Sequence, residues 1–223
     1  MTTYKQLIYL VLDELKATSD DSFIQPEHVL LLLDHYRTFI LKQRYNDIKK
    51  EVPTSNLQTI TLSLRSTKKN TKSCLESTDI VPSMLTIYNP KISTVNMFDY
   101  SISYVSRDRF PYVGNNKYLQ NIIYATIGYD NHLYLTSFNI QCSYLTKIKV
   151  TGIFENSSEV NELISLEDGN TGDLLDNAFP LEEGLIPTVV ELIVKELSGT
   201  LYRPKDDDNN ASDDLSKVHV SND

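Results

Sequence analysis

The amino-acid sequence predicts an α+β protein in which a three-helix unit carries an inserted antiparallel β-sandwich or partial barrel. Three observations lead to this prediction: two amphipathic helical patterns precede residue 53, alternating strand patterns fill residues 53–179, and a strongly apolar helical pattern follows residue 180. A chain of 223 residues can bury a substantial core. We therefore expect a helical domain at 1–52 and 180–203, a β-domain at 53–179, and an acidic flexible tail at 204–223.

Two helices are predicted near the N-terminus. The first spans Tyr4–Ala17, because its apolar residues recur at three- and four-residue spacing, and Thr3 with Gln6 has the spacing of a capping box. The second opens at Pro26, a residue favoured in the first helical turn, and continues to just before Pro53, over roughly 35 to 40 Å. A short turn joins the two helices, so they should form a helical hairpin.

The middle of the chain carries strand signals. Leu57–Leu64 alternates apolar and polar residues, which places its apolar side chains on one face of a strand. The segment Gly128–Asn131 has the composition of a hairpin turn, and Gly152 is expected at a bulge or at a close approach of another segment. Short connections favour antiparallel pairing. The other predicted strands are Met84–Tyr88, Ser101–Val105, Tyr118–Ile127, His132–Ser137 and Tyr144–Phe154.

The remaining ordered segments are two loops and a third helix. RSTKKNTKS, from Arg65, is predicted as a basic loop, and LISLEDGNTGDLLDNAFP, after Asn161, as a loop with a single helical turn. The third helix opens at Pro187 and should end at Gly199, a residue suited to cap a helix C-terminus. It is too short and too apolar to stand alone, so we expect it to dock on the N-terminal hairpin.

Composition excludes several classes of protein. The net charge of −9 argues against a general nucleic-acid-binding protein, although a channel that repels DNA stays open. Two cysteines, Cys74 and Cys142, are expected as buried thiols in a reducing compartment. No stretch approaches the roughly 18 apolar residues of a membrane span, and the N-terminus lacks the features of a signal peptide. We expect the protein to fold in a cytoplasm.

The sequence contains no recognisable catalytic, cofactor-binding or metal-binding motif. HExxH, P-loop, GxGxxG and GxSxG patterns are all missing. His28 and His35 lie about two helical turns apart, too far for one metal ion unaided, and are expected in the core or at an interface. The acidic tail lacks the glycine and glutamate of a calcium loop, though one weak divalent ion at a subunit contact stays open. The segment Phe98–Tyr118 mixes aromatic and basic residues, which suits base stacking, a protein interface, or a strand followed by a turn.

Several stretches resemble the ring (head–tail connector) proteins of crAss-like bacteriophages. They are TYKQLIYLVLDELK, LKQRYNDIKK, IKVTGIF, FPLEEGLIPTVVELIVKEL and RPKDDDNNASDD. The resemblance implies a non-enzymatic structural protein of the virion neck or tail, assembled in the host bacterial cytoplasm. Such proteins form a ring, expected to be a dodecamer, which is stacked below the portal and extends the DNA channel toward the tail. The implied partners are further copies of the chain, the portal protein, and adjacent ring and tail proteins. DNA would pass without specific binding, and no membrane takes part.

We expect the second half of the second helix to contact a neighbouring subunit, because it carries more long polar side chains than the surface of a monomer needs. The alternative is a solvated face with intrahelical pairs such as Asp34 with Arg37. The candidate contact residues are Arg37, Lys42, Gln43, Arg44 and Tyr45.

Two rival functions stay open at this stage. A glycan- or receptor-binding tail module would need an exposed aromatic platform on the β-region, and the 14 tyrosines of the chain could supply one. A cell-wall hydrolase would need paired carboxylates or a metal cluster that converge in a cleft.

Overall fold

The computed structural model combines helices and strands, which confirms the predicted α+β class. The helices are α1 (Tyr4–Thr18), α2 (Pro26–Tyr45), α3 (Ser157–Asp168) and α4 (Ile186–Leu201). The strands are β1 (Gln58–Thr67), β2 (Ser73–Ser77), β3 (Lys91–Thr94), β4 (Ser101–Tyr104), β5 (Tyr124–Ile127), β6 (Leu133–Ser137) and β7 (Lys147–Gly152). The structure describes residues 2–18, 24–46, 50–67, 73–95, 101–138, 140–168 and 173–201. The predicted acidic tail lies outside these residues.

The strands close into a barrel in the order β1-β2-β6-β5-β4-β3-β7. This agrees with the partial-barrel alternative, and the closure is complete. One pairing corrects the prediction of an antiparallel sheet, since β4 and β5 are parallel, with Tyr104 opposite Ala125. The physical reason is the long connection at 105–123, which carries the chain back to the opposite end of the barrel before β5 begins.

Alternating side chains fill the barrel. On β1, Ile60 and Leu62 are buried and pair with Val150 and Ile148 on β7. Inward-facing residues from the other strands complete one hydrophobic cluster inside the barrel. Its buried strand residues also include Leu75, Ile92, Ile102, Ala125, Leu133 and Leu135.

A second hydrophobic cluster lies among the helices, beside the barrel. α1, α2 and α4 contact one another there, and Leu85 and Ile153 join them from segments beside the barrel. The capping box at the start of α1 is present, since the Thr3 N–H donates to Gln6 Oε1 at 3.0 Å and the Gln6 N–H donates to Thr3 Oγ1 at 3.3 Å. No helix in the described part of the chain has the length and apolarity that a bilayer crossing requires.

Helix α2 is shorter than predicted. It ends at Tyr45 rather than just before Pro53, so its 20 residues span about 30 Å. The sequence continues with Asn46 and Asp47, both poor helix formers. Lys50 Nζ then donates to the Arg44 carbonyl at 3.3 Å and satisfies one of the carbonyls left free at the helix end.

Other boundaries also differ from the predictions. Residues after Asn161, predicted as a loop, belong to α3, and strands β2 and β3 were missed. Met84–Tyr88 contributes only an isolated bridge between Met84 and Phe154, and the predicted strand from Tyr118 begins only at Tyr124. Helix α4 continues past Gly199, so this glycine is not its C-terminal cap.

Two glycine predictions have clear structural outcomes. The hairpin turn at Gly128 is confirmed, since its N–H donates to the His132 carbonyl at 2.8 Å and Asn131 takes a positive φ of 58°. Gly152 marks a close approach, because a Cβ placed there would lie 2.0 Å from Met84 Cε.

Candidate subunit-contact surface

Arg37, the first of the predicted contact residues, lies entirely inside the protein. Its side chain is 0% exposed and donates three hydrogen bonds to backbone carbonyls. Nε reaches Pro180 at 2.8 Å, Nη1 reaches Phe154 at 2.8 Å, and Nη2 reaches Asn56 at 3.2 Å. The guanidinium thus ties α2 to three separate segments of the chain, and none of its surface is left for a neighbouring subunit.

The charge of Arg37 persists at neutral pH. Burial lowers the pKa of its guanidinium to about 10, while the hydroxyl of Tyr4 and the Asp34 carboxylate act in the opposite direction. A pKa of about 10 still leaves the group protonated at pH 7. The fork of donors therefore stays charged, which strengthens its bonds to the three carbonyls.

The other four predicted residues divide between surface and interior. Lys42, Gln43 and Arg44 are exposed, whereas Tyr45 is buried. Lys42 Nζ lies 3.2 Å from Glu155 Oε1, and Arg44 Nη2 lies 3.1 Å from Glu182 Oε1. The Tyr45 hydroxyl donates to Glu182 Oε2 at 3.0 Å. These bonds join α2 to the segments before α3 and α4, rather than pairing residues within α2.

Asp34, the neighbour of this group on α2, holds the start of α3. Its carboxylate accepts the N–H groups of Ser157 and Ser158, both at 3.3 Å, and the Ser158 hydroxyl at 2.6 Å. The Ser157 hydroxyl donates to the same carboxylate. A negative charge beside the first free N–H groups of a helix also suits the helix dipole. Asp34 therefore caps α3 from a different helix, and these contacts replace the intrahelical Asp34–Arg37 pair that the alternative interpretation included.

A buried polar network continues from this cap into α1 and the barrel. The Tyr4 hydroxyl donates to Ser157 Oγ at 2.6 Å, and its ring packs edge-on against Phe179 at 5.0 Å. Gln58 Nε2, at the start of β1, donates to the Ser157 carbonyl at 3.1 Å and to Asn161 Oδ1 at 3.3 Å. Burial, and then the Asp34 carboxylate, raise the pKa of the Tyr4 hydroxyl well above its ordinary value. The network fixes the helices against the barrel end where β1 begins.

An open groove runs along the outer face of α2 beside the start of α3. Its volume is about 730 Å³. Two large apolar side chains of α2 stand out at this face, with Leu31 65% exposed and Phe39 51% exposed. The lining also includes His35, which is exposed instead of lying in the core. We call this feature the α2 groove; its lining residues are Glu27, Leu30, Leu31, Asp34, His35, Thr38, Phe39, Lys42, Glu155, Asn156 and Ser158.

A smaller cavity adjoins the α2 groove and shares Leu30 and Ser158 with it. Its volume is about 380 Å³, and its lining adds Glu159, Glu162 and Asp173. Together the two linings carry six carboxylates, three in each, and a single lysine, Lys42. This side of the molecule is therefore apolar at its centre and acidic around it.

A second exposed surface lies on the connection between β4 and β5. Tyr112 is 76% exposed and Tyr118 is 89% exposed. Arg109 and Lys117 are also exposed. We call residues 107–119 the Arg/Tyr segment.

Several contacts hold the Arg/Tyr segment on the barrel wall. Arg107 Nε donates to the Ile127 carbonyl at 2.6 Å, and its guanidinium stacks 4.2 Å from the centre of the Tyr129 ring. Gly114 takes a positive φ of 76° and lies against the ring of Phe138, which follows β6. The predicted strand followed by a turn is confirmed, since β4 occupies Ser101–Tyr104 and a tight turn at Phe110–Tyr112 leads into Gly114.

The comparisons with known proteins decide the family. The model of the phage tail ring protein 2 family matches residues 6–215. The Ring protein 2 of Bacteroides phage crAss001 is 46% identical over 220 residues, which cover 96% of this chain and 98% of that protein. The chain belongs to the phage tail ring protein 2 family. The predicted resemblance to ring proteins of crAss-like phages is thereby confirmed, and the match extends through the barrel as well as the two ends.

Within this tail ring protein, the described residues hold no group of three or more His, Cys, Asp and Glu placed to bind a metal ion. The Cys142 thiol is buried, as predicted, while the Cys74 side chain lies outside the described part. On the barrel, the hydrogen bond that the Tyr134 hydroxyl donates to Asp130 raises the pKa of that hydroxyl. Packing around Cys142 and the Tyr134–Asp130 hydrogen bond are both ordinary stabilising contacts of a folded protein.

Sequence reasoning missed two parts of this surface, although signals for both exist in the sequence of the tail ring protein. Leu31 and Phe39 fall outside the buried stripe of α2, so the helix is more apolar than one buried face needs. Asn156 with Glu159 has the spacing of a helix N-terminus, and Asn156 Nδ2 donates to Glu159 Oε2 at 3.4 Å. That pair would have located α3.

Proposed function

We propose that this chain is a structural subunit of a homo-oligomeric ring in the head–tail connector of the virion. The ring is stacked below the portal and extends the DNA channel toward the tail. The observation that carries the proposal is the family match over residues 6–215, together with 46% identity to a curated ring protein along almost its whole length. A dodecamer is the expected copy number, and no catalytic step belongs to this role.

The buried contacts of Arg37 and Asp34, which we call the junction, support a role that depends on the shape of the subunit. A ring closes only if every copy presents its two contact patches at the same relative angle. In this chain the three Arg37 hydrogen bonds and the Asp34 cap hold α2, α3 and the segment before α4 at one end of the barrel. Such a junction limits rotation of the helices against the barrel.

We also propose a separate role for the helical part and for the barrel. The helical part, 1–52 and 180–203, contacts the portal or the adjoining ring, and the barrel within 53–179 builds the ring wall. On α2 the exposed Lys42, Gln43 and Arg44 remain candidate contact residues, whereas Arg37 and Tyr45 act from the interior by fixing the helix.

The net charge of −9 supports a passage that does not retain DNA. Affinity for DNA comes mainly from cationic groups that displace counterions from phosphates, and an acidic chain offers few of them. A purified ring should therefore bind duplex DNA weakly at physiological salt, as a gel-shift titration would measure.

Cryo-electron microscopy of the intact virion tests the position of the ring. The proposal expects a ring of twelve copies of this fold immediately below the portal, around the DNA channel. Density for this fold only on a peripheral fibre, or no density for it in the mature particle, would overturn the proposal.

The residues after Lys205 are proposed to contact a neighbouring ring. Deletion of Lys205–Asp223 should leave the melting temperature unchanged and weaken stacking between rings. If the truncated chain stacks as well as the full chain, the contact lies elsewhere.

A glycan- or receptor-binding module is the second candidate function. One observation favours it, since Tyr112 and Tyr118 on the barrel wall are mostly exposed and could stack on a sugar ring. A glycan array probed with the purified protein tests this function. Saturable binding that is lost in Tyr112→Ala with Tyr118→Ala would favour it over the ring.

A further inference from the structure

We infer that neighbouring copies join head to tail, with the Arg/Tyr segment of one copy seated in the α2 groove of the next. This inference rests on the proposed ring and deepens it, because it assigns the two patches that make the repeating contact. The occupant of the α2 groove is therefore a second copy of this chain.

Charge complementarity is the first argument for this contact. Six carboxylates line the α2 groove and its adjoining cavity, and three of them already have partners: Asp34 is buried at the start of α3, Glu155 pairs with Lys42, and Asp173 pairs with Lys5 at 3.7 Å. The exposed Glu27, Glu159 and Glu162 carry the remaining negative charge of this surface. The Arg/Tyr segment has the opposite balance, with three basic residues and one acidic residue, Asp108, in a chain whose net charge is −9. Opposite fields of this kind orient two copies and disfavour contact between like patches.

The composition of the two surfaces also suits a contact between them. Tyrosine and arginine are the residues that most often supply binding energy at protein interfaces, and both are exposed on the Arg/Tyr segment. The α2 groove offers apolar partners for the tyrosine rings, because Leu31 and Phe39 are more than half exposed there. Burial of each such side chain stabilises association through the hydrophobic effect.

The placement of the two patches is the third argument. The α2 groove lies beside the helices, where β7 ends and α3 begins. The Arg/Tyr segment instead lies on the barrel wall along β5, and Gly114 reaches the far end of β6 beside Phe138. Glu155 of the groove and Arg107 of the segment line one cavity of about 350 Å³, so the two patches adjoin at that point. They share no residue, and two different patches make a heterologous contact, which repeats from copy to copy until it closes.

The Arg/Tyr segment is also held in a fixed conformation before it binds. Arg107 is anchored on the Ile127 carbonyl at 2.6 Å, and the Tyr118 N–H donates to Asn116 Oδ1 at 3.1 Å. A surface already held in shape loses less conformational entropy when it docks.

Charge exchange tests the contact on the full chain. The groove variant is Glu27→Lys with Glu162→Lys, and the segment variant is Arg109→Glu with Lys117→Glu. The matched controls change the same charges at exposed positions outside both patches, Glu51→Lys with Glu191→Lys and Lys91→Glu with Lys195→Glu. Sedimentation velocity at several protein concentrations measures association, and circular dichroism checks that each variant is folded.

We expect the groove variant and the segment variant each to raise the protein concentration for half-assembly at least about 10-fold, while the controls assemble like the wild type. A chain that carries all four patch substitutions should regain assembly, because the exchanged charges are again complementary. Assembly of both patch variants at the wild-type concentration, failure of the four-fold variant to recover, or no association of the wild type would each overturn the inference. If electron microscopy instead finds open chains that obey the same charge exchange, the contact stands and the closed ring fails.

Discussion

At the residue scale, Arg37 is the side chain on which the junction most depends. A buried guanidinium is costly to desolvate, and this one is offset by three carbonyl acceptors from three different segments. Its removal leaves those carbonyls without their donor inside the protein. The cost of such a change comes from the groups left behind as much as from the lost bonds.

Replacement of Arg37 should therefore destabilise the protein strongly. We expect Arg37→Met to lower the free energy of unfolding by about 3 kcal/mol. Arg37→Lys should cost nearly as much, because a single ammonium cannot serve three diverging carbonyls. Urea denaturation followed by circular dichroism measures both values.

Lys42→Met is the matched control, five residues further along the same helix. Its ion pair with Glu155 is exposed, with side chains 52% and 40% accessible, so the expected loss is under about 1 kcal/mol. Equal losses at positions 37 and 42 would contradict the role given to the buried guanidinium.

The Tyr4 hydroxyl makes the junction sensitive to alkaline pH. Its folded-state pKa is raised above the unfolded value of about 10, so the protonated hydroxyl stabilises the fold. That contribution is fully present below about pH 10 and is lost as the pH rises toward the folded pKa. Tyr4→Phe keeps the ring against Phe179 and should cost about 1 kcal/mol at pH 7.

The variant should also change the pH profile. Between about pH 9.5 and 11.5, the wild type should lose stability more steeply than Tyr4→Phe, in urea denaturations at each pH. Parallel profiles for the two proteins would mean that the Tyr4 hydroxyl does not titrate with unfolding.

At the element scale, α3 is held by Asp34 of α2 more than by its own sequence. Its own N-terminal pair, Asn156 with Glu159, makes one contact at 3.4 Å, whereas Asp34 receives four hydrogen bonds from the two following serines. Long-range capping of this kind leaves little trace in a local pattern. The sequence therefore predicts α1 and α2 from periodicity but treats most of α3 as a loop.

Asp34→Asn should loosen α3 selectively. The substitution removes the charge that faces the helix N-terminus and half of the acceptor capacity, at a cost of about 1 to 2 kcal/mol. We expect faster hydrogen exchange in 157–168 and unchanged exchange in α1, measured by mass spectrometry. Uniform acceleration across all helices would instead indicate global destabilisation.

The elements that were predicted correctly have strong local signals. Alternation predicted β1 and β7, and the Gly128–Asn131 turn predicted the β5–β6 hairpin. Short strands β2 and β3 were missed because four or five residues, flanked by polar loops, give no clear period. The parallel β4–β5 pair depends on barrel closure, a long-range property that no local pattern encodes.

The candidate contact surface was predicted only in part, for a related reason. The sequence directs attention to the second half of α2 as a contact surface, which stays a prediction, but charge alone did not separate Arg37, which is buried, from Lys42 and Arg44 on the surface. Burial of an arginine depends on acceptors from distant segments, and those appear only in the folded chain.

At the scale of the whole molecule, barrel and helices present two surfaces of opposite character. The α2 groove is acidic and apolar, and the Arg/Tyr segment on the barrel wall is basic and aromatic. A member of a tail ring protein family with two such patches is suited to repeat one contact around a circle. In the proposed ring, the junction at Arg37 and Asp34 would hold the two patches at a constant angle, and a constant angle is what closure requires.

Native mass spectrometry of the purified full chain tests whether it closes into a ring. At micromolar concentration and physiological salt, we expect a single closed homo-oligomer of twelve copies, with few species of intermediate size. A monomer at every concentration, or a broad ladder of oligomers with no preferred size, would contradict that expectation.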